Sequence, residues 1–125
     1  MYAIVYSVAG IPAPQGSKIR TPYGMRDASK RLKPWRDAVK EASQEQAELT
    51  DTVLGGVRVH LTFRFPRPAK PVRDYPPIDI DKLARAVLDG MTQGGIIEDD
   101  RHVVHLTAVK QYAETPGVLI RIDPK

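Results

Sequence analysis

The sequence predicts an α/β fold: a single domain over residues 1–125, with a four-stranded mixed sheet and two helices packed against it in the order β-α-β-α-β-β. Two patterns predict it. Short β-branched apolar runs alternate with segments of helical period, and clusters of Pro and Gly separate them. The length of 125 residues adds a third argument, because one domain of that size buries roughly two-thirds of its unfolded surface. The chain has no cysteine, so its core must hold without disulfides, and any metal must be held by oxygen or imidazole.

Residues 2–8 are short, apolar and β-branched, and predict the first strand. Pro12, Pro14, Gly16, Pro22 and Gly24 then punctuate the chain, and residues 10–33 are expected to form one long, strongly basic loop. Pro34 and Trp35 open a helix, rich in Ala, Glu, Gln and Lys, that runs to about residue 49 and is ended by Asp51 and Gly55-Gly56. From Val57 the alternation is strict: Val57, Val59, Leu61, Phe63 and Phe65 point one way, and Arg58, His60, Thr62 and Arg64 the other. This is a half-buried strand, and His60 belongs to its polar side. Pro66, Pro68, Pro71, Pro76 and Pro77 keep the next stretch extended.

At Asp81 the period turns helical. Leu83, Ala84, Val87, Leu88 and Met91 cover one arc, opposite Asp81, Lys82, Arg85 and Asp89. Gly94-Gly95 stops this helix, since glycine accepts the left-handed conformation a helix end commonly needs. Residues 101–112 and 118–122 read as two last strands around the turn Thr115-Pro116-Gly117, expected to pair as an antiparallel hairpin. His102 and His105 lie three apart in a predicted strand, face opposite ways and make a poor chelating pair.

Charge is distributed unevenly. Residues 11–40 hold eight bases and two acids, and residues 64–73 add four bases with no acid. Residues 74–101 reverse the sign, with seven acids against three bases. Basic arms around an acidic island favour a polyanionic partner, because each phosphate neutralised releases counterions. No run of 18 apolar residues exists and no basic residue precedes the apolar N-terminal stretch, so a cytoplasmic protein without a membrane span is expected. No glycine-rich phosphate loop, dinucleotide fingerprint or serine-hydrolase elbow is found, and no nucleotide cofactor is expected.

The acidic island carries the candidate chemistry. Asp79-Ile80-Asp81 places two carboxylates two apart in a segment read as extended, where they would share a face. Asp100 follows nineteen residues after Asp81, and the intervening helix and return can bring it back beside them. Three carboxylates within about 4 Å repel by roughly 4 kcal/mol per pair at an effective dielectric near 20, so such a cluster calls for a hard cation, Mg²⁺ or Mn²⁺. The plainer alternative stays open: an Asp beside a helix start is most often an N-cap worth about 1 kcal/mol. Arg85 can equally be an i+4 partner of Asp81 or Asp89.

The run Ile78-Asp79-Ile80-Asp81-Lys82-Leu83-Ala84-Arg85-Ala86-Val87-Leu88-Asp89-Gly90-Met91, followed by Ile96-Ile97-Glu98-Asp99-Asp100-Arg101-His102-Val103-Val104, resembles the RusA-type Holliday-junction resolvases. These are small phage or prophage endodeoxyribonucleases of DNA recombination and repair. The basic Pro-rich N-terminal loop, Trp35-Arg36 and Lys110 fit the same outline. The resemblance implies catalytic, Mg²⁺-binding carboxylates at Asp79, Asp81 and Asp100, with Asp99 supporting them. Arg85 stands where the family commonly has a catalytic lysine, and Lys82 where asparagine is usual. It also implies a homodimer that cuts four-way DNA junctions. Lys18, Arg20, Arg26, Lys30, Arg31, Lys82 and Lys110 would then contact DNA. A flap- or packaging-type nuclease and a catalytically silent DNA-binding module are the rival readings.

Overall fold

A computed structural model describes residues 2–16, 18–21, 24–27 and 30–125, with the side chains of 18–21 and 24–27 outside the description. Strand β1 (Ile4–Ala9) is followed by a small antiparallel hairpin, β2 (Lys18–Thr21) with β3 (Gly24–Asp27). Then come α1 (Leu32–Thr50), β4 (Val57–Phe65), α2 (Ile80–Gly94), a single 3₁₀ turn (Asp100–His102), β5 (Val103–Tyr112) and β6 (Gly117–Pro124). The main sheet has the order β1-β6-β4-β5. Only β4 and β5 are parallel, so the sheet is mixed, as expected.

Two expectations need correcting. The basic stretch of residues 10–33 is not one continuous loop, because it contains the β2–β3 hairpin and the first residues of α1. Its prolines and Gly16 fall outside the runs Lys18–Thr21 and Gly24–Asp27, so the breakers delimit strands rather than forbid them. The last two strands are also not hairpin neighbours, because β4 lies between them. The crossover through α2 seats β5 parallel to β4, as a strand-helix-strand unit requires. The other edge of β4 then takes β6, whose Val118, Ile120 and Ile122 are buried, while the more polar β5 is left at the rim.

Both helices cover one side of the sheet. Val57, Val59, Leu61, Phe63 and Phe65 are buried on that side, as their alternation predicts. Register puts Val59 beside Ile122, Leu61 beside Ile120 and Phe63 beside Val118. The core is completed by Trp35 and Val39 of α1 and by Leu83, Val87 and Met91 of α2. A fully buried aliphatic side chain of this size contributes roughly 1.5–3 kcal/mol. One polar pair sits among them: the Tyr6 hydroxyl lies 2.7 Å from Oγ of the fully buried Ser43, and burial pushes the phenol up to about 12.

The helices cross at glycines. A Cβ on Gly90 would lie 2.7 Å from Val39 Cγ1, and one on Gly94 would lie 2.5 Å from the Lys40 carbonyl oxygen. The backbones therefore meet at a distance no side chain permits. Gly95, at φ 82°, ends α2 in the left-handed conformation, and its N–H donates to the Met91 and Thr92 carbonyls. No helix among the described residues is long and apolar enough to cross a membrane.

Candidate active site at the acidic end of the second helix

Helix α2 begins at Ile80, one residue earlier than its apolar period indicates, and this changes the relation between the first two acids. Asp79 is extended (φ −61°, ψ 121°), whereas Asp81 already lies in the first helical turn. The face-sharing expected of alternate residues in an extended chain therefore does not hold across the helix start. Asp79 occupies the N-cap position, yet its carboxylate caps nothing. It lies instead 3.3 Å from the Lys82 ammonium. The commonest structural use of an Asp at this position is thus not taken up. Both Asp79 and Asp81 are exposed, as is Arg85, one turn further along the same polar stripe.

The 3₁₀ turn at Asp100 packs against α2 and brings two more acids. Asp99 caps that turn, its Oδ1 accepting from the Arg101 N–H at 3.0 Å. This bond, with a further one from Asp100, holds the Asp99 carboxyl below the usual carboxylate range. Asp100 moves the other way. Its hydrogen bond to Asp99 is the main cause, followed by slight burial and then by the negative charges of Asp99 and Asp89. Asp89, on α2, therefore contributes its field to the same corner as the 3₁₀ turn.

A short relay fixes Asp89. Gln15 donates from Nε2 to Asp89 Oδ2 and accepts at Oε1 from Arg36 Nη1 at 2.9 Å. Its backbone N–H donates to the Lys82 carbonyl at 3.0 Å. One residue of the N-terminal segment thus ties both helices together beside the acids. The next residue, Gly16, lies close to Arg85: a Cβ there would stand 3.2 Å from Nη1. Asp89, Gln15 and Arg36 are the residues that motif reading left out of the site. Asp89 is visible in the sequence as the last charge of the α2 polar stripe, whereas a lone Gln in a Pro-rich segment carries no sequence signal.

The donors suit a hard divalent ion, since every one is a carboxylate oxygen. Among the described residues, however, no three His, Asp or Glu side chains are gathered closely enough to chelate an ion as they stand. The expected convergence of Asp79, Asp81 and Asp100 into a ready-made cup is therefore not found. Asp79 is drawn to the Lys82 ammonium instead, while Asp99 and Asp100 are bonded to each other at the 3₁₀ turn.

Of the residues expected at DNA, Lys30 and Arg31 are exposed at the start of α1. Lys18, Arg20 and Arg26 fall on β2 and β3, and their side chains lie outside the described residues. Lys82 is taken up by Asp79. Lys110 reaches the backbone, its Nζ donating to the Ile78 carbonyl at 2.7 Å. His60 stays on the uncovered side of the sheet, where its Nδ1 lies 2.6 Å from Thr107 Oγ1 and its ring 5.6 Å from that of His105.

A family model described as Endodeoxyribonuclease RusA matches residues 12–123 of this chain. No curated protein matches it.

Proposed function

Because the chain belongs to the RusA endodeoxyribonuclease family, we propose that it resolves four-way DNA junctions by paired phosphodiester hydrolysis, acting as a Mg²⁺-dependent homodimer in a bacterial cytoplasm. One observation carries this reading. The exposed acids at the start of α2 and the acids of the 3₁₀ turn belong to packed neighbouring elements, within the stretch that the family match spans.

Asp79, Asp81 and Asp100 would hold Mg²⁺, or Mn²⁺ in its place, with Asp99 beside them. When bound, the ion supplies a water of lowered pKa and offsets phosphate charge. The protein's own groups do the rest. Arg85 keeps the cationic charge of the lysine it replaces and presents a planar fork of donors to the non-bridging phosphate oxygens. The site is open to solvent, as a duplex substrate requires. Lys18, Arg20, Arg26, Lys30 and Arg31 bind backbone phosphates, which sets affinity and position rather than sequence preference. Two symmetric nicks need two sites, and hence two copies of the chain.

The test is a labelled four-way junction beside a matched linear duplex, each with Mg²⁺ or with EDTA. The expected result is paired nicks in the junction only, and only with Mg²⁺. If about six phosphates are neutralised, the logarithm of junction affinity falls with the logarithm of salt at a slope near −5. Equal nicking of both substrates points to a general nuclease. Binding without nicking removes the catalytic reading altogether.

A further inference from the structure

Resting on the reading of Asp79 as part of a hydrolytic site, we propose that Lys110 is a positioning residue: together with the Tyr112 hydroxyl, it clamps the proline-rich strap that carries Asp79 into α2. The strap, residues 66–79, joins β4 to α2 and contains Pro66, Pro68, Pro71, Pro76 and Pro77. Five of its residues therefore have no N–H to donate. No backbone-to-backbone hydrogen bond with the described residues involves residues 66–78. Side chains of β5 hold it instead. Lys110 Nζ donates to the Ile78 carbonyl at 2.7 Å, and the Tyr112 hydroxyl donates to the Tyr75 carbonyl at 3.1 Å.

The spacing on β5 makes this possible. Residues 110 and 112 share one side of the strand and pair in register with the buried Phe63 and Phe65, so both turn toward the helix-covered side. Two ring contacts reinforce the clamp. The Lys110 ammonium lies 5.6 Å from the centre of the Tyr75 ring, and the Arg67 guanidinium lies 5.7 Å from that of Tyr112. A half-buried ammonium directed at a carbonyl makes a charge-assisted bond. The carbonyl it holds belongs to the residue immediately before Asp79. The Asp79 carboxylate makes no capping bond, only its ion pair with Lys82, so the strap sets where the Asp79 backbone enters the helix.

The alternative for Lys110 is a phosphate contact, and the experiment separates the two. Lys110→Met keeps the stem and removes the charge and donors, Lys110→Arg keeps both, and Tyr112→Phe removes one hydroxyl. Three quantities are read: single-turnover nicking of a four-way junction, junction affinity in EDTA across a salt series, and amide hydrogen exchange at Leu83, whose N–H donates to the Asp79 carbonyl at 3.1 Å. The clamp predicts nicking about ten- to a hundredfold slower in Lys110→Met, the range a small misplacement of a reacting group produces. It predicts a smaller loss in Tyr112→Phe and partial recovery in Lys110→Arg. Exchange at Leu83 quickens in Lys110→Met and Tyr112→Phe, with affinity and salt slope unchanged. Weaker binding with a slope shallower by about one, at unchanged exchange, makes Lys110 a phosphate contact and overturns the proposal. So do wild-type nicking and exchange in Lys110→Met. Should the wild-type protein itself not nick, the exchange result still decides the clamp, while the hydrolytic reading falls alone.

Discussion

The two sides of α2 obey opposite rules. Toward α1 and the sheet it presents Leu83, Ala84, Ala86, Val87, Gly90 and Met91, all buried, and the close crossing at Gly90 and Gly94 leaves no room for another atom. Toward solvent it presents Asp81, Arg85 and Asp89, and among the described residues Arg85 forms no ion pair with either acid. The i+4 pairing that would make these charges helix-stabilising is not realised, and of the three only Asp89 is held by a structural bond, from Gln15. One side is specified by volume and the other by charge and position. Substitutions should therefore separate cleanly, each side failing in a different assay.

The largest effect is expected on the charged side. Asp81→Asn should slow junction nicking by about a thousandfold or more, equivalent to at least ~4 kcal/mol of transition-state stabilisation. Its unfolding midpoint should stay within about 0.5 kcal/mol of wild type, as for an exposed surface change. Junction binding should hold or tighten, because a charge repelling phosphate is gone. Nicking near the wild-type rate would take Asp81 out of the site. Next comes the packed side. Gly94→Ala puts a methyl group against the Lys40 carbonyl and Ser43 Cβ, neither of which is the end of a flexible chain. Overpacking of this kind costs typically 1–3 kcal/mol, against about 1 kcal/mol gained from helix propensity. A net loss of up to ~2 kcal/mol, read as a lower urea midpoint at unchanged slope, is expected. An unchanged midpoint would mean that the helices can move apart without cost.

The same division explains what could be seen in the sequence. Periodicity reports burial, and it located the β4 alternation, the apolar arc of α2 and the glycine that ends it. Motif spacing reports chemistry along the chain, and it marked Asp79, Asp81 and Asp100. Neither reports which strands become neighbours. The short turn between β5 and β6 suggests a hairpin, but the choice is made by the α2 crossover and by the apolar content of β6, both of which act through the whole sheet. Nor does spacing fix local conformation at a helix start, where a boundary earlier by one residue separates Asp79 from Asp81. The Gln15 relay and the Lys110 clamp were invisible for a related reason: each joins a side chain to a group more than twenty residues away.

Gln15→Ala tests the seam between the two sides, since Gln15 bonds both Asp89 and Arg36. Each hydrogen bond at this partly exposed seam contributes about 0.5–1 kcal/mol net, so a loss of roughly 1–2 kcal/mol is expected by urea unfolding. A loss that vanishes in the Asp89→Ala background assigns the bond to Asp89 as the dominant one.

The smallest and most specific effect concerns Asp100. Its folded-state pKa is raised, mainly by Asp99, so the folded chain binds a proton there more readily than the unfolded chain. Below the ordinary carboxylate range, near pH 4, both states are protonated and nothing is lost. As pH rises through that range the unfolded chain ionises first, and the folded state loses stability until its own group follows. The deficit then persists to neutral pH. Asp99, whose folded pKa is lowered, runs the other way, contributing stability above the ordinary range and losing it on acidification. Comparing wild type with Asp100→Asn isolates the first effect. The variant should equal or exceed wild type at pH 7, and its advantage should disappear as pH falls below about 4. Mg²⁺ at pH 7 should narrow the gap by stabilising wild type more than the variant, because a ligand that binds only the folded state raises its stability. Equal Mg²⁺ shifts in the two proteins would remove Asp100 from the cation site and leave the charged side of α2 without its third carboxylate.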